Sequence, residues 1–245
     1  MIDITGLVLS VQDHKERNGI VYVLLEDRIQ SVYARGIQSP ASKNRRLCNP
    51  FSDVTLIVSE QKSSTMDKLI KGNVNKYYYH IQDDLIAQSV CFVLRDCLFR
   101  VHIVPEYQKL LKKVWENFSD KVSNLNYACF LMGKILKNEG ISPNVNACVS
   151  CGSKQKIETV SMVGGGFLCV NCNQGQYPKW PKEDLEKLRN VLIVKDDLVD
   201  VLAKHASYDL DDFLFLAKWF EYFENVELPS VRFLSSIRTL GQGKA

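Results

Sequence analysis

The sequence predicts an α+β protein in two parts. Residues 1–75 read as an N-terminal OB-fold β-barrel, and 76–245 as an all-α domain with an inserted four-cysteine zinc knuckle at 146–175. Three observations lead there. Apolar residues fall in short strand-length runs up to about residue 75. From about residue 80 they switch to helical spacing. Four of the eight cysteines stand as C-x2-C-x17-C-x2-C.

The runs at 5–11, 20–25, 29–34, 54–59 and 69–75 are rich in Val, Ile, Leu and Tyr, residues that suit a pleated, half-buried surface. Asn18-Gly19 and Glu26-Asp27 separate the first three, and a long polar segment at 38–53 with Pro40 and Pro50 precedes the fourth. Five short strands with one long loop suit a small barrel, and an OB-fold is the common solution.

Beyond residue 80 the period is that of a helix. Asp83 or Asp84 suits the cap of a helix that turns Leu85, Ile86, Val90, Val93, Leu94, Cys97 and Leu98 inward. Pro105 fits a first helical turn ahead of Leu110, Leu111, Val114, Trp115 and Phe118. A third helix is expected over 121–139, stopped by Gly140. Pro181 opens another, 209–224 forms a strongly aromatic one, and 230–240 the last.

The cysteine spacing carries the most specific chemistry. Two residues between thiolates let a tight turn aim both sulfurs at one point, and a second such turn completes a tetrahedron. Gly152 follows the first pair and Gly164, Gly165 and Gly166 lead into the second, so the segment reads as a hairpin joining two metal knuckles. Cys148, Cys151, Cys169 and Cys172 then hold one Zn2+ per chain. Four thiolates fill the coordination sphere, leave no position for water or substrate, and make the metal structural. The competing reading is two disulfides or two redox motifs. Disulfides seldom persist in a cytosolic chain, and Gly152 disfavours the helix that a redox CxxC usually opens. Cys48, Cys91, Cys97 and Cys129 lie among apolar neighbours and read as small core residues.

A net charge of +3 says little as a total. Its distribution says more: residues 28–52 hold Arg28, Arg35, Lys43, Arg45 and Arg46 with no acid, whereas 196–227 is strongly acidic. Lys15 and Arg17 add to the basic side. On a small barrel such loops and one sheet face can track phosphates while aromatics stack on bases, and Tyr22, Tyr33 and Phe51 are the aromatic candidates. A plain solvated face is the alternative. A second basic patch, Lys109, Lys112 and Lys113 beside Leu110 and Trp115, could rim a groove for an acidic, hydrophobic peptide tail, or be an ordinary wet helix face.

No catalytic constellation emerges. Gly133-Lys134 lacks the rest of a phosphate loop, Gly164 to Gly166 do not follow a βαβ strand, and the four histidines form no ligand or nucleophile–base spacing. No apolar run approaches the ~20 residues needed to cross a bilayer. The acidic start, Met1-Ile2-Asp3, is unlike a signal peptide. A cytoplasmic protein without a membrane partner is expected.

In this order the motifs resemble the RecO family of bacterial recombination mediators. Gly6-Leu7-Val8-Leu9 is similar to its first OB strand, and Tyr33-Ala34-Arg35-Gly36-Ile37 with Ser42-Lys43 to its (V/Y)-A-(K/R)-G-(A/V) strand and basic loop. Leu136 to Pro143 resembles the helix end before the zinc segment. Cys148-Val149-Ser150-Cys151-Gly152 and Gly165-Gly166-Phe167-Leu168-Cys169-Val170-Asn171-Cys172 resemble its C-x-x-C-G and G-G-x-x-C-x-x-C halves, and Phe233-Leu234-Ser235-Ser236 its closing helix. The resemblance implies no enzymatic turnover, binding of single- and double-stranded DNA, strand annealing, and a nucleoid-associated location. It also implies partnership with RecR, assistance to RecA on DNA coated by single-strand-binding protein, and contact with that protein's acidic C-terminal tail. At one point the chain departs from the family: the strand turn where members often carry Thr and Gly reads Leu25-Glu26-Asp27-Arg28. The alternative reading is a zinc-containing interaction scaffold that meets DNA mainly through its partners.

Overall fold

The computed structural model describes residues 1–59, 66–119 and 124–242. Strands β1 (Ile2–His14), β2 (Asn18–Leu24), β3 (Ile29–Ala34), β4 (Ser52–Ser59) and β5 (Asp67–Tyr77) close into a barrel of order β1-β2-β3-β5-β4. All pairs are antiparallel except β3 with β5, and β4 returns to β1. This is the OB topology. Alternation in the sequence explains it: Val21 and Val23 on β2, Val32 and Ala34 on β3, and Val54, Leu56 and Val58 on β4 all point into one core. In place of a long capping helix, a 3-10 turn at Arg45–Cys48 sends Leu47 and Cys48 into that core.

The helices are α1 (Tyr79–Asp83), α2 (Leu85–Leu98), α3 (Pro105–Ser119), α4 (Asn126–Asn138), α5 (Val170–Asn173), α6 (Lys182–Ile193), α7 (Val199–His205), α8 (Leu210–Glu224) and α9 (Pro229–Gln242). Between α4 and α6 lies a two-stranded sheet of β6 (Ile157–Ser161) and β7 (Gly166–Cys169). Residues 121–123, expected at the start of the third helix, lie outside the described residues.

The chain divides into two compact units: Met1–Gln88 with Leu98–Val122, and Ser89–Cys97 with Ser123–Ala245. In the first, α3 packs on the barrel. Tyr107, Leu111, Val114 and Trp115 are buried, and Gln108 Nε2 donates to the Leu24 carbonyl at 2.9 Å. In the second, α4 is the centre, with α6, α7 and α8 against it and α9 on α8. Its first residue, Asn126, is buried yet fully engaged. Nδ2 donates to the carbonyls of Ala203 (2.7 Å) and Ala206 (2.8 Å), and Oδ1 accepts the Tyr208 N–H (2.9 Å). An unpaired amide there would cost about 1–3 kcal/mol, so this residue fixes where α4 starts against the α7–α8 connection.

One detail differs from the sequence expectation. Leu85 and Ile86 are 52% and 42% exposed, because Asp84 Oδ1 caps the backbone N–H groups of Ile86 and Ala87 and leaves the first turn of α2 on the surface. The cap of α8 is Asp209, which accepts from the N–H groups of Asp211 (2.8 Å) and Asp212 (3.1 Å) while the Asp212 carboxylate accepts from Asp209 N–H, a capping box. Among the described residues no helix is long and apolar enough to cross a membrane.

Candidate metal centre and nucleic-acid interface

The four-cysteine site is assembled from two turns. In the first, Gly152 N–H donates to the Cys148 carbonyl (2.9 Å) and Cys148 N–H to the Ser153 carbonyl (2.8 Å), a tight loop for which Gly152 adopts φ +74°. In the second, Cys169 ends β7 and Cys172 sits in the single turn of α5. The β6–β7 hairpin sets their separation, and Val149 N–H donating to the Phe167 carbonyl (2.8 Å) ties the two turns together. At Gly166 a Cβ would meet the Asn144 carbonyl oxygen at 2.4 Å, which accounts for a glycine three residues before Cys169.

The sulfurs of Cys148, Cys151, Cys169 and Cys172 all lie within 4.8 Å of one another, with Cys151 and Cys169 at 3.7 Å. A tetrahedral metal with bonds of about 2.3 Å needs sulfurs about 3.8 Å apart, so the set is placed to hold one metal ion. Its electrostatics agree. Burial alone would raise the Cys148 thiol, but backbone N–H groups of Cys169, Cys151 and Ser150 bring it down to about 6. At Cys172 a hydrogen bond with Ser150 lowers the thiol, and the contacts with Cys151 and Cys169 outweigh it and push it up to about 12. Thiols this close cannot all ionise unless a cation shares their charge. The other four cysteines are buried, and burial pushes Cys48 up to about 12 and Cys129 well above its ordinary value, which keeps those two as unreactive thiols.

The barrel distributes the predicted cations unevenly. Lys15 and Arg17 lie in the β1–β2 turn. Arg35 follows β3 at the same end, since Ala34 pairs with Gly19. Three bonds tie the loop after β3 to the β1–β2 turn and the strand ends beside it: Gly36 N–H to Asn18 Oδ1 (2.9 Å), Gln38 N–H to the Arg17 carbonyl (3.2 Å) and Gln38 Nε2 to Asp13. Lys43, Arg45 and Arg46, all exposed, continue on this loop, which Asn44 Nδ2 pins to the Ile70 carbonyl of β5 (3.3 Å). Arg28 stands apart, at the opposite end of the β2–β3 hairpin, paired with Asp27 at 2.9 Å.

Tyr22 and Tyr33 alternate with the buried residues of β2 and β3 and so face outward; Tyr33 makes an edge contact with His14, ring centres 6.0 Å apart. Phe51 is no platform for a base: it is 4% exposed and packs edge-on against Trp115 at 5.7 Å. Sequence reasoning missed a better pair. Tyr77 and Tyr79 stack at 4.9 Å and 17°, Tyr79 is 62% exposed, and Tyr77 Oη donates to the Arg46 carbonyl. The run Tyr77-Tyr78-Tyr79 is the signal, with Tyr78 turned inward and the outer two left on the surface.

On α3, Lys109 is exposed, whereas Lys112 Nζ lies 2.6 Å from Asp53 Oδ2. Lys113 is half-buried, and Leu110 and Trp115 are buried, so they do not form an open apolar groove beside the lysines. Much of the acidic stretch is committed to structure as well. Asp196 pairs with Lys134 (2.7 Å), Asp211 with Arg238, Asp209 and Asp212 cap α8, and Glu221 accepts the Leu228 N–H (2.6 Å).

Comparison with known proteins agrees with this architecture. Residues 1–78 match the family model "Recombination protein O N terminal" and residues 85–192 match "Recombination protein O C terminal". The chain is 26% identical over 173 residues to the DNA repair protein RecO of Syntrophomonas wolfei subsp. wolfei, covering 69% of this chain and 68% of that one. It is 23% identical over 256 residues to the DNA repair protein RecO of Bacillus subtilis, covering 96% and 94%. To that of Lactobacillus delbrueckii subsp. bulgaricus it is 23% identical over 249 residues, covering 97% and 98%. With an OB barrel, a helical unit carrying the cysteine cluster, and family matches over most of its length, the chain belongs to the RecO family.

Proposed function

We propose that the chain is a non-enzymatic DNA-binding recombination mediator. In this reading residues 1–75 are the DNA-binding module and 76–245 the helical module with the metal insertion at 146–175. It binds single- and double-stranded DNA, anneals strands, and with RecR assists RecA onto DNA coated by single-strand-binding protein. The observation that carries it is the OB barrel, in a chain of this family, with Lys15, Arg17 and Arg35 gathered at one end and Lys43, Arg45 and Arg46 on the connected loop. Cations there track phosphates while Tyr33 and the Tyr77–Tyr79 stack offer faces to bases.

The metal is zinc, held by Cys148, Cys151, Cys169 and Cys172. An all-thiolate tetrahedron suits zinc, a filled sphere makes its role structural, and the ion joins the two turns of the hairpin segment. Lys109, with Lys113 on the same helix, remains the proposed contact for the coat protein's acidic tail, and Lys112 contributes there only if it leaves Asp53.

The test is RecA loading. RecA-dependent ATP hydrolysis on coated single-stranded DNA should start sooner with this chain and RecR together than with either alone. An unchanged lag would contradict the mediator reading.

A further inference from the structure

The β2–β3 hairpin carries a feature that the loop cations do not explain. The segment after α2 folds over the outer face of the two strands, and Phe99 meets Tyr22 edge-on with ring centres 5.3 Å apart at 85°. Beside them a cavity of about 380 Å³ opens, bounded by Tyr22, Asp27, Arg28, Ser31, Phe99 and His102. Phe99, 40% exposed, brings aromatic surface to the mouth of this cavity.

The polar groups of this cavity define what fits it. The Arg28 guanidinium is held in place by both Asp27 oxygens (3.1 and 2.9 Å) and by Gln30 Oε1 (3.1 Å). Its charge is balanced by Asp27, which makes the site a poor phosphate receptor. A donor (Arg28), an acceptor (Asp27) and groups able to do either (Ser31, His102) stand around aromatic walls. That is the complement of a flat, neutral heteroaromatic ring with donors and acceptors along its edge. The phosphate-attracting cations lie at the other end of the same hairpin, on the Arg35 side. Tyr33, a diagonal neighbour of Tyr22 across β2 and β3, stands about 7–8 Å from it, which places a second aromatic along the same face.

We propose that Tyr22, Phe99, Arg28 and His102 form a subsite for one nucleobase of single-stranded DNA, at the end of the β2–β3 hairpin opposite the basic loops. The proposal rests on the DNA-binding reading above and adds to it a base-stacking position outside the basic loops.

The test uses the full chain with a 20-mer of thymidylate and a 20-mer of abasic sugar-phosphate, which carry the same charge. Phe99→Ala should weaken binding of the thymidylate strand about tenfold, the loss of one base stack, with the salt slope and abasic binding unchanged. Phe99→Trp, which keeps an aromatic ring in place should the alanine variant fold poorly, should retain affinity and show fluorescence quenched by the thymidylate strand and not by the abasic one. Equal thymidylate affinity of Phe99→Ala and the parent, or no base-dependent quenching in Phe99→Trp, overturns the subsite and leaves DNA binding standing. Quenching by free thymidine monophosphate at the same base concentration also overturns it, since the pocket would then take free nucleotides. Failure of the parent chain to bind either strand overturns the DNA-binding reading itself.

Discussion

Asp53 and Lys112, fifty-nine residues apart in sequence, join at 2.6 Å between Oδ2 and Nζ and fix α3 to the barrel. Asp53 is 6% exposed and its other oxygen accepts from Asn75 Nδ2 at 2.9 Å, so β4, β5 and α3 meet at one carboxylate. The hydrogen bond to Asp53 raises the Lys112 ammonium above its ordinary 10.5.

Lys112→Ala should therefore destabilise the first unit. It leaves a buried carboxylate with one partner fewer; because the lysine side chain is 46% exposed, solvent screening keeps the loss to about 1 kcal/mol rather than the roughly 3–5 of a fully buried pair. The pH dependence has a definite sign. Lys112 is raised in the folded state, so its contribution is complete below pH 10.5 and is lost as pH rises through the higher folded value. Urea denaturation should show the variant deficit in full at pH 8 and a shrinking one as the pH is taken above 10.5. Adding Asp53→Asn should recover part of it, since the amide needs no cation.

Gly133→Ala tests packing against propensity. Gly133 lies inside α4, where alanine alone would gain about 1 kcal/mol. A Cβ there would meet Val191 Cγ1 at 2.6 Å and the Val191 carbonyl oxygen at 2.8 Å, and the carbonyl belongs to the backbone of α6. Overpacking of this kind costs about 1–3 kcal/mol. A lowered melting temperature is expected, and a raised one would show that α6 moves away freely.

Asp209→Ala should cost about 1 kcal/mol by removing both capping hydrogen bonds at the start of α8, while Asp209→Asn or Asp209→Ser should recover most of it. Chemical denaturation with the three variants side by side checks the order.

Cys151→Ser should lower the metal content below one zinc per chain and reduce thermal stability, as should a strong chelator on the parent. Elemental analysis with a melting curve reads both. Freshly purified, reduced protein without metal would remove the zinc assignment. Cys129→Ala, a core thiol elsewhere, should leave the metal count unchanged.

The elements differ in how visibly the sequence marked them. The cysteine cluster was legible because its geometry is local: two residues between thiols form a turn, and the glycines mark the hairpin between pairs. The barrel was legible because alternation reports one buried face, as in Val21 and Val23 or Val54, Leu56 and Val58. Long-range relations were not. Nothing near Lys112 indicates Asp53, and nothing near Phe51 indicates its positive φ of 63° or its ring contact with Trp115. Helices α1 and α7, of five and seven residues, are too short for a period to show. Tyr77 ends β5 and Tyr79 opens α1, so neither a strand period nor a helix period runs through the Tyr77–Tyr79 stack to mark it.

The most direct test of the central claim is the salt dependence of single-stranded DNA binding, followed by anisotropy of a labelled oligonucleotide from low to physiological salt. Affinity should fall linearly on a log–log plot, with a slope of about −0.7 for each phosphate contacted, and replacing Arg35, Arg45 and Arg46 together by alanine should flatten it by about 2. An identical slope and affinity in the triple variant at every salt concentration would contradict the assignment of the barrel's basic loops as the DNA-binding surface.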